Sequence, residues 1–574
     1  MCSGILPFVI LILINLFQTR MKKATDFRNG CRVLADSLRR STENLLPRIR
    51  KTLIIQWNNL QTYRFLRYRV PEFENLSLKQ KELVYYLTEA ALQGRDILFD
   101  QNGKYNLRIR RMLEAVYTGY TGDKTAADFK AMEVYLKRVW FSNGIHHHYG
   151  CEKFVPGFTP EFFKQALLSV DAATLPLAEG QTVEQLYEEM APVIFDPKVM
   201  PKRVNQAAGE DLVLTSACNY YDGVTQQEAE AFYSSMKDPK DETPVSYGLN
   251  SRLVKENGKI QEKVWKVGGL YGAAIGKIVY WLKKAEGVAE NPEQKAVIAK
   301  LIEFYETGDL KTFDDYAILW VKDLDSRIDF VNGFTESYGD PLGMKASWES
   351  LVNFKDLEAT RRTEIISSNA QWFEDHSPVE KQFKKEKVKG VSAKVITAAI
   401  LAGDLYPSTA IGINLPNANW IRSHHGSKSV TIGNITDAYN KAAHGNGFNE
   451  EFVYSDAELQ LIDKYADTTD ELHTDLHECL GHGSGKLLPG VDPGRAEGLR
   501  LYYRRGACRL VRTVLCGRSE TGGTGADSEC RCLQGPILYL SDERPDDTAC
   551  AYRTGKQRGR GTYAQPPAHS PLGI

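Results

Sequence analysis

Apolar residues recur at helical spacing between positions 66 and 493, and at no sustained spacing on either side of that span. The contrast limits what the chain can fold, because only a patterned stretch presents a continuous apolar face for burial. SLKQKELVYYLTEAALQ (77–93) opens with Ser77, a good N-cap, followed by Leu, Val, Tyr and Ala at helical intervals, and DQNG (100–103) reads as a closing turn. Helical patterns continue at 105–118, 128–139, 226–236, 272–286 and 294–306. KVWKVGG (263–269) and KSVTIGN (428–434), rich in Val, Ile and Trp and ended by Gly or Asn, are the better strand candidates. The expected class is mainly α with a smaller β-containing part (α+β), in two lobes around a substrate cleft.

The ends have a different texture. Residues 1–65 form an atypical N-terminal segment with scattered Arg and an apolar run from Ile5 to Phe17 that is short for a membrane span. Residues 494–574 carry twelve Arg, one Lys and five Cys among short Gly, Ser and Thr runs, a poor basis for a packed core, and are expected to be a disordered tail. Between 66 and 493 the cysteines are Cys151, Cys218 and Cys479, so that body has no disulfide framework. Charge is nearly balanced, 72 Lys+Arg against 73 Asp+Glu, which argues against nucleic acid as a partner and for a small or peptide one. No stable membrane span is expected.

The stretch that carries chemistry is HECLGHGSGK, beginning at His477. In the H-E-x-x-H pattern two His four apart lie within roughly 40° on one helix face, whereas five apart they diverge by about 140°. A single-turn π-bulge absorbs one extra residue, and Gly481, just before His482, tolerates the distorted backbone. His477 and His482 could then face one metal ion, with Glu478 where such peptidases carry their general base. The preceding segment has Leu461, Tyr465, Leu472 and Leu476 at helical spacing, with a fresh helix start expected in the DTTD run, 467–470. The alternative is two surface histidines and a glutamate at a helix end.

HECLGHGSGK, GINLPNANWIR (412–422) and NGFTESYGDPLG (332–343) together resemble the dipeptidyl peptidase III family, zinc exopeptidases with an H-E-x-x-G-H motif, over essentially all of 66–493. The resemblance implies one zinc per chain held by His477 and His482, Glu478 as catalytic base, and release of dipeptides from the free N-terminus of short peptides. It implies that Asn414 and Asn417 hold the peptide's N-terminal end, and that Asp329 receives its ammonium. It also implies a cytoplasmic location, against a cell-envelope one if the Ile5 to Phe17 run is a signal. The HHH run at 146–148 reads as a polar loop rather than a second metal site.

One family element is missing. The third ligand belongs to an E-E-x-R-A-[DE] motif some twenty-odd residues past the second His, where this chain reads LRLYYRRGACRLVRTVLCGRSE (499–520). Asp475 and Glu497 are possible substitutes without motif support. If Ala496 to Glu520 are assigned allowed codons and read one base later, one consistent choice gives LKAYGSTIEEARADLFGLYYVADP, which contains the motif. We therefore read both ends as frame-shifted translation, with changes near 65/66 and 493/494. An uninterrupted DNA reading frame through both junctions would refute this. The competing expectation for the chain as it stands is a catalytically inactive fragment that keeps peptide binding.

Overall fold

The computed structural model describes residues 67–476 except 378–379, 389–392, 408 and 444–446. Contacts divide the chain between Arg67 and Tyr68, and every described residue but Arg67 belongs to the second unit.

Helices α1 (Leu78–Gln93), α2 (Arg95–Gln101), α3 (Asn106–Gly119), α4 (Ala127–Ser142), α5 (Pro160–Ser169) and α6 (Val183–Phe195) come first. A three-stranded sheet of β1 (Tyr221–Asp222), β2 (Ser251–Glu256) and β3 (Lys259–Val264) follows, with α7 (Gln226–Ser234) between its first two strands in sequence. Next come α8 (Gly272–Gly287), α9 (Pro292–Thr307) and α10 (Leu310–Lys322). The rest is built around β4 (Ile328–Glu336), β5 (Ser347–Lys355), β6 (Ala393–Gly403), β7 (Gly412–Leu415) and β8 (Lys428–Ile432). Helices α11 (Leu357–Ser368), α12 (Ala370–His376), α13 (Asn419–His424), α14 (Gly433–Ala443), α15 (Phe448–Phe452) and α16 (Asp456–Leu476) connect or follow these strands. This is the α+β class expected from the sequence.

Local signals set many of the helix boundaries. Ser77 and Gln80 form a capping box at α1, as do Thr182 with Gln185 at α6 and Thr225 with Glu228 at α7. Each such cap is worth about 1 kcal/mol. Asn291 caps α9 ahead of Pro292, and Gly308, at φ 71°, ends it in the left-handed conformation that favours glycine. Two expectations fail at boundaries. Asp100 and Gln101 complete α2 instead of opening a turn, and α16 runs without interruption through 467–470, so no fresh helix starts there. Thr and Asp cost only about half a kcal/mol each inside a helix, which an otherwise continuous apolar pattern overrides. The strand expected at 263–269 lies earlier, as β3, and the one at 428–434 is β8, with Gly433 and Asn434 opening α14.

The five-stranded sheet has the order β4-β5-β6-β8-β7, with β6 and β8 parallel and the other pairs antiparallel. Phe330, Phe334, Trp348, Val352 and Phe354 join α1 and α8 in the main apolar core. A strand covered on both faces is buried continuously, which is why SWESLVNFK shows no alternation to mark β5. Trp348 is fully buried and packs so closely on Gly94, between α1 and α2, that any side chain there would collide with its ring. Truncating such a Trp costs about 3–5 kcal/mol.

The segment after β4 is tied to the small sheet by a buried polar network. Asp340 accepts the N–H groups of Leu342, Met344 and Lys345 and the Tyr221 hydroxyl. Lys345, with no exposed surface, donates to the Tyr233 hydroxyl at 2.6 Å and to Ser251 O at 3.0 Å. Burial lowers the Lys345 pKa to about 8, opposed by Asp340 and Glu262. The GDPLG part of the NGFTESYGDPLG stretch thus does structural work, which its sequence did not disclose.

Candidate active site

The two strands that carry the expected substrate residues, β4 and β7, are at opposite edges of the sheet order, yet side chains link β4 to the far side of the sheet. Flat, β4 and β8 would lie roughly 14 Å apart and β4 and β7 roughly 19 Å apart, at about 4.8 Å per strand. Lys428 of β8 nevertheless places Nζ 2.9 Å from Asp329 Oδ2 on β4, and Asn417, just past β7, donates from Nδ2 to Thr335 O on β4 at 3.2 Å. The sheet must curl strongly for both contacts to form. It brings Lys428 to Asp329 and Asn417 to Thr335, six positions further along β4.

Asp329 is well supplied with donors. Its Oδ1 accepts from Trp320 Nε1 and from the Phe330 N–H, each at 2.8 Å, and Oδ2 takes Lys428. The Lys428 side chain is 5 % exposed and its ammonium lies 4.4 Å from the centre of the Trp320 ring. An incoming ammonium at Asp329 would have to share Oδ2 with Lys428.

Asn414 sits on β7, which among the described residues has β8 as its one partner. Its Nδ2 donates to Ser429 Oγ at 2.7 Å, while its buried Oδ1 has no hydrogen-bond partner among the described residues. Leaving a buried acceptor unpaired is costly, so this oxygen is set up to receive a donor. The Leu415–Pro416 bond is cis, and the chain then turns to Asn417, which is exposed.

Two carboxylates that the sequence reading did not single out flank this region. Glu336 is hydrogen-bonded by Asn417, and burial raises its pKa, with Asp404 adding to the effect and Arg422 opposing it. Glu349, 2 % exposed, is raised well above the ordinary carboxylate range by burial first and then by Glu336 and Asp404. Glu349 pairs with Gly333 on one side and Gly403 on the other, so neither cross-strand neighbour brings a side chain against it. Gly403, at φ 63°, admits no side chain because a Cβ would strike the Trp348 carbonyl. Only the E in NGFTESYG could have pointed to Glu336; Glu349 lies in an unremarkable apolar strand.

The expected catalytic residues His477, Glu478 and His482 lie outside the described residues. Helix α16 is described as far as Leu476, immediately before His477, and Asp475 on it is buried. Two imidazoles followed by an open coordination position suit zinc by donor chemistry, with a third ligand still required. Among the described residues no group of three His, Cys, Asp or Glu side chains is placed to hold a metal ion. The HHH run is used structurally: His146 Nε2 is 2.8 Å from Met200 O, and His147 Nδ1 accepts from the Tyr149 and Gly150 N–H groups. Burial lowers the His146 pKa to about 4. Trp140 and Tyr149 beside it are exposed rather than core.

Comparison with known proteins places this arrangement. Peptidase family M49 matches residues 226–497, from α7 past the HECLGH stretch. The human dipeptidyl peptidase 3 is 24 % identical over 492 residues, 76 % of this chain and 64 % of the relative; that of Nematostella vectensis is 24 % identical over 457 residues, 72 % and 61 %. The chain is thus similar to the dipeptidyl peptidase III family over much of its length. The solved dipeptidyl peptidase III of Caldithrix abyssi is similar in fold at a TM-score of 0.60 and 19 % identity, covering 81 % of this chain and 76 % of that one. That of Corallococcus sp. strain EGB aligns at 0.56 and 17 %, covering 84 % and 76 %. The chain spans between 61 % and 64 % of the length of those two curated relatives. Among its described residues no helix is long and apolar enough to cross a membrane.

Proposed function

We propose that this chain is built as a zinc-dependent exopeptidase that removes dipeptides from the free N-terminus of short peptides. The observation that carries the proposal is β7: among the described residues an edge strand with one partner, bearing the buried Oδ1 of Asn414 with no partner. An extended peptide can add to such an edge through main-chain hydrogen bonds, which recognises backbone rather than side-chain sequence. Asn414 and Asn417 would bind the N-terminal end, and the acidic side chains of β4, Asp329 with Lys428 beside it, would receive the ammonium. Anchoring the ammonium fixes the cut, because two extended residues place the scissile bond roughly 7 Å further along the strand.

His477 and His482 would hold the metal, and when bound it would supply Lewis acidity and an acidified water at the scissile carbonyl. Glu478 would accept the proton of the attacking water and pass it to the leaving amine. A positioned base of this kind contributes about 10²–10⁴ in rate.

A second reading has its own support: the chain contains no E-E-x-R-A-[DE] sequence past His482, so it can be a peptide-binding fragment without turnover. Zinc content measured alongside hydrolysis of a dipeptidyl arylamide separates the two. About one equivalent of zinc with turnover supports the enzyme; binding of a peptide with neither metal nor turnover supports the fragment.

A further inference from the structure

Strand register places four charged side chains on one face of the five-stranded sheet. Asp329 pairs with Asn353, and Lys355 lies two positions further along β5 on the same face. Lys355 pairs with Ile396, which brings in Lys394 two positions earlier on β6; Lys394 pairs with Val430, which brings in Lys428. Three ammonium groups thus meet one carboxylate, and that carboxylate is taken by Lys428.

Lys355 and Lys394 instead converge on a single carbonyl. Both donate to Leu324 O in the connection between α10 and β4, at 2.5 Å and 2.8 Å. Among the described residues neither has a carboxylate within 4.0 Å. Of the acids nearby in sequence, Asp323 accepts from Ser326 and Asp356 caps α11, while the exposed Asp325 makes no ion pair within 4.0 Å among the described residues. Two like charges on one neutral oxygen repel, and each ammonium has three donors of which Leu324 uses one. Burial lowers the Lys394 pKa to about 8, with Lys355 and Lys428 pushing the same way and Asp329 opposing.

We propose that Lys355 and Lys394 form a binding site for an oxyanion, a phosphate or carboxylate group bridging their two ammonium groups beside Leu324. Such a ligand supplies the negative charge and the acceptors that the protein itself omits at this point. The proposal does not depend on peptidase activity.

Thermal unfolding of the full chain in inorganic phosphate, with ionic strength held constant by chloride, tests it. A saturable rise in Tm is expected, with the half-saturating concentration at least tenfold higher in Lys394→Gln and Lys355→Gln and nearly unchanged in Lys394→Arg. A non-saturating rise, or one equal in the parent and both glutamine variants, overturns the site. Should a glutamine variant not fold, acetylation of Lys394 by acetic anhydride in the parent gives the same answer by mass spectrometry. Protection by phosphate supports the site, and equal labelling with and without phosphate overturns it. A short peptide with a free C-terminal carboxylate competes with phosphate if the natural ligand is a peptide end, whereas its C-terminal amide does not. Failure of both peptides to compete assigns the site to small free oxyanions.

Discussion

The helix leading into His477 and the sheet carrying Asp329 differ in how far apart in sequence their working parts lie. The expected metal ligands and base fall within six consecutive residues, 477–482. On the sheet, Lys428 reaches Asp329 across 99 positions and Asn417 reaches Thr335 across 82. The proposed chemistry falls in one local motif, whereas the proposed recognition draws on residues of β4, β7 and β8 that lie far apart in sequence. Substitutions in the first should therefore change turnover, and those in the second should change stability or affinity.

The largest separation is expected at Glu478. Glu478→Ala should lower kcat by about 10²–10⁴ while leaving zinc content and Tm close to the parent, because the base is not a ligand. His482→Ala should lose the metal as well. Steady-state kinetics with metal analysis on a chain restored to the family's E-E-x-R-A-[DE] motif decide it, and unchanged turnover in Glu478→Ala removes that residue from the mechanism.

Lys428→Met tests the sheet side. Removing one partner of a buried ion pair typically costs about 3–5 kcal/mol, and here it also strips a donor from Asp329. Guanidinium unfolding should report a loss of that order. Lys428→Met combined with Asp329→Asn should lose less than the sum of the two single variants. Full additivity would mean that the pair is not coupled.

Glu349 gives a pH signature. Its folded pKa lies above the unfolded value of about 4.5, so the folded state holds a proton that the unfolded state releases, and stability falls as pH rises above about 4.5 towards the raised value. Each pH unit in that window is worth about 1.4 kcal/mol. Glu349→Gln should flatten the fall seen in unfolding midpoints across the window, and an unaltered slope would place the proton elsewhere.

The smallest effect is expected at Asn414. Asn414→Ala should raise KM for a dipeptidyl arylamide by up to about tenfold, as losing one neutral hydrogen bond costs about 0.5–1.5 kcal/mol, with little change in kcat. A fall in kcat at constant KM would move Asn414 from recognition to catalysis and erase the contrast between the two regions.

Much of the helical framework was legible in advance because caps and apolar spacing act over a few residues: Ser77 starts α1 and Gln93 ends it as the pattern indicates. The five-stranded sheet was nearly invisible. β5 is buried on both faces and so loses its alternation, and of the sheet's other strands β8 alone matched a strand expected from composition. Asn414 and Asn417 stood out through the NLPN stretch as expected substrate residues. The Lys428 partner of Asp329, the half-buried Glu336 and the buried Glu349 did not, since nothing in those segments marks their partners.

By itself the sequence determined which stretch can bury a core, where most of its helices begin, and that HECLGH gathers two histidines and a glutamate within six residues. These are properties of neighbours along the chain. Only the tertiary structure decided that Asp329 is held by Lys428 and Trp320, that Asn414 keeps an unpaired acceptor beside an edge strand, and that Lys355 and Lys394 share one carbonyl. Register and sheet curl set those contacts, and both depend on how distant strands pack, which no local pattern encodes.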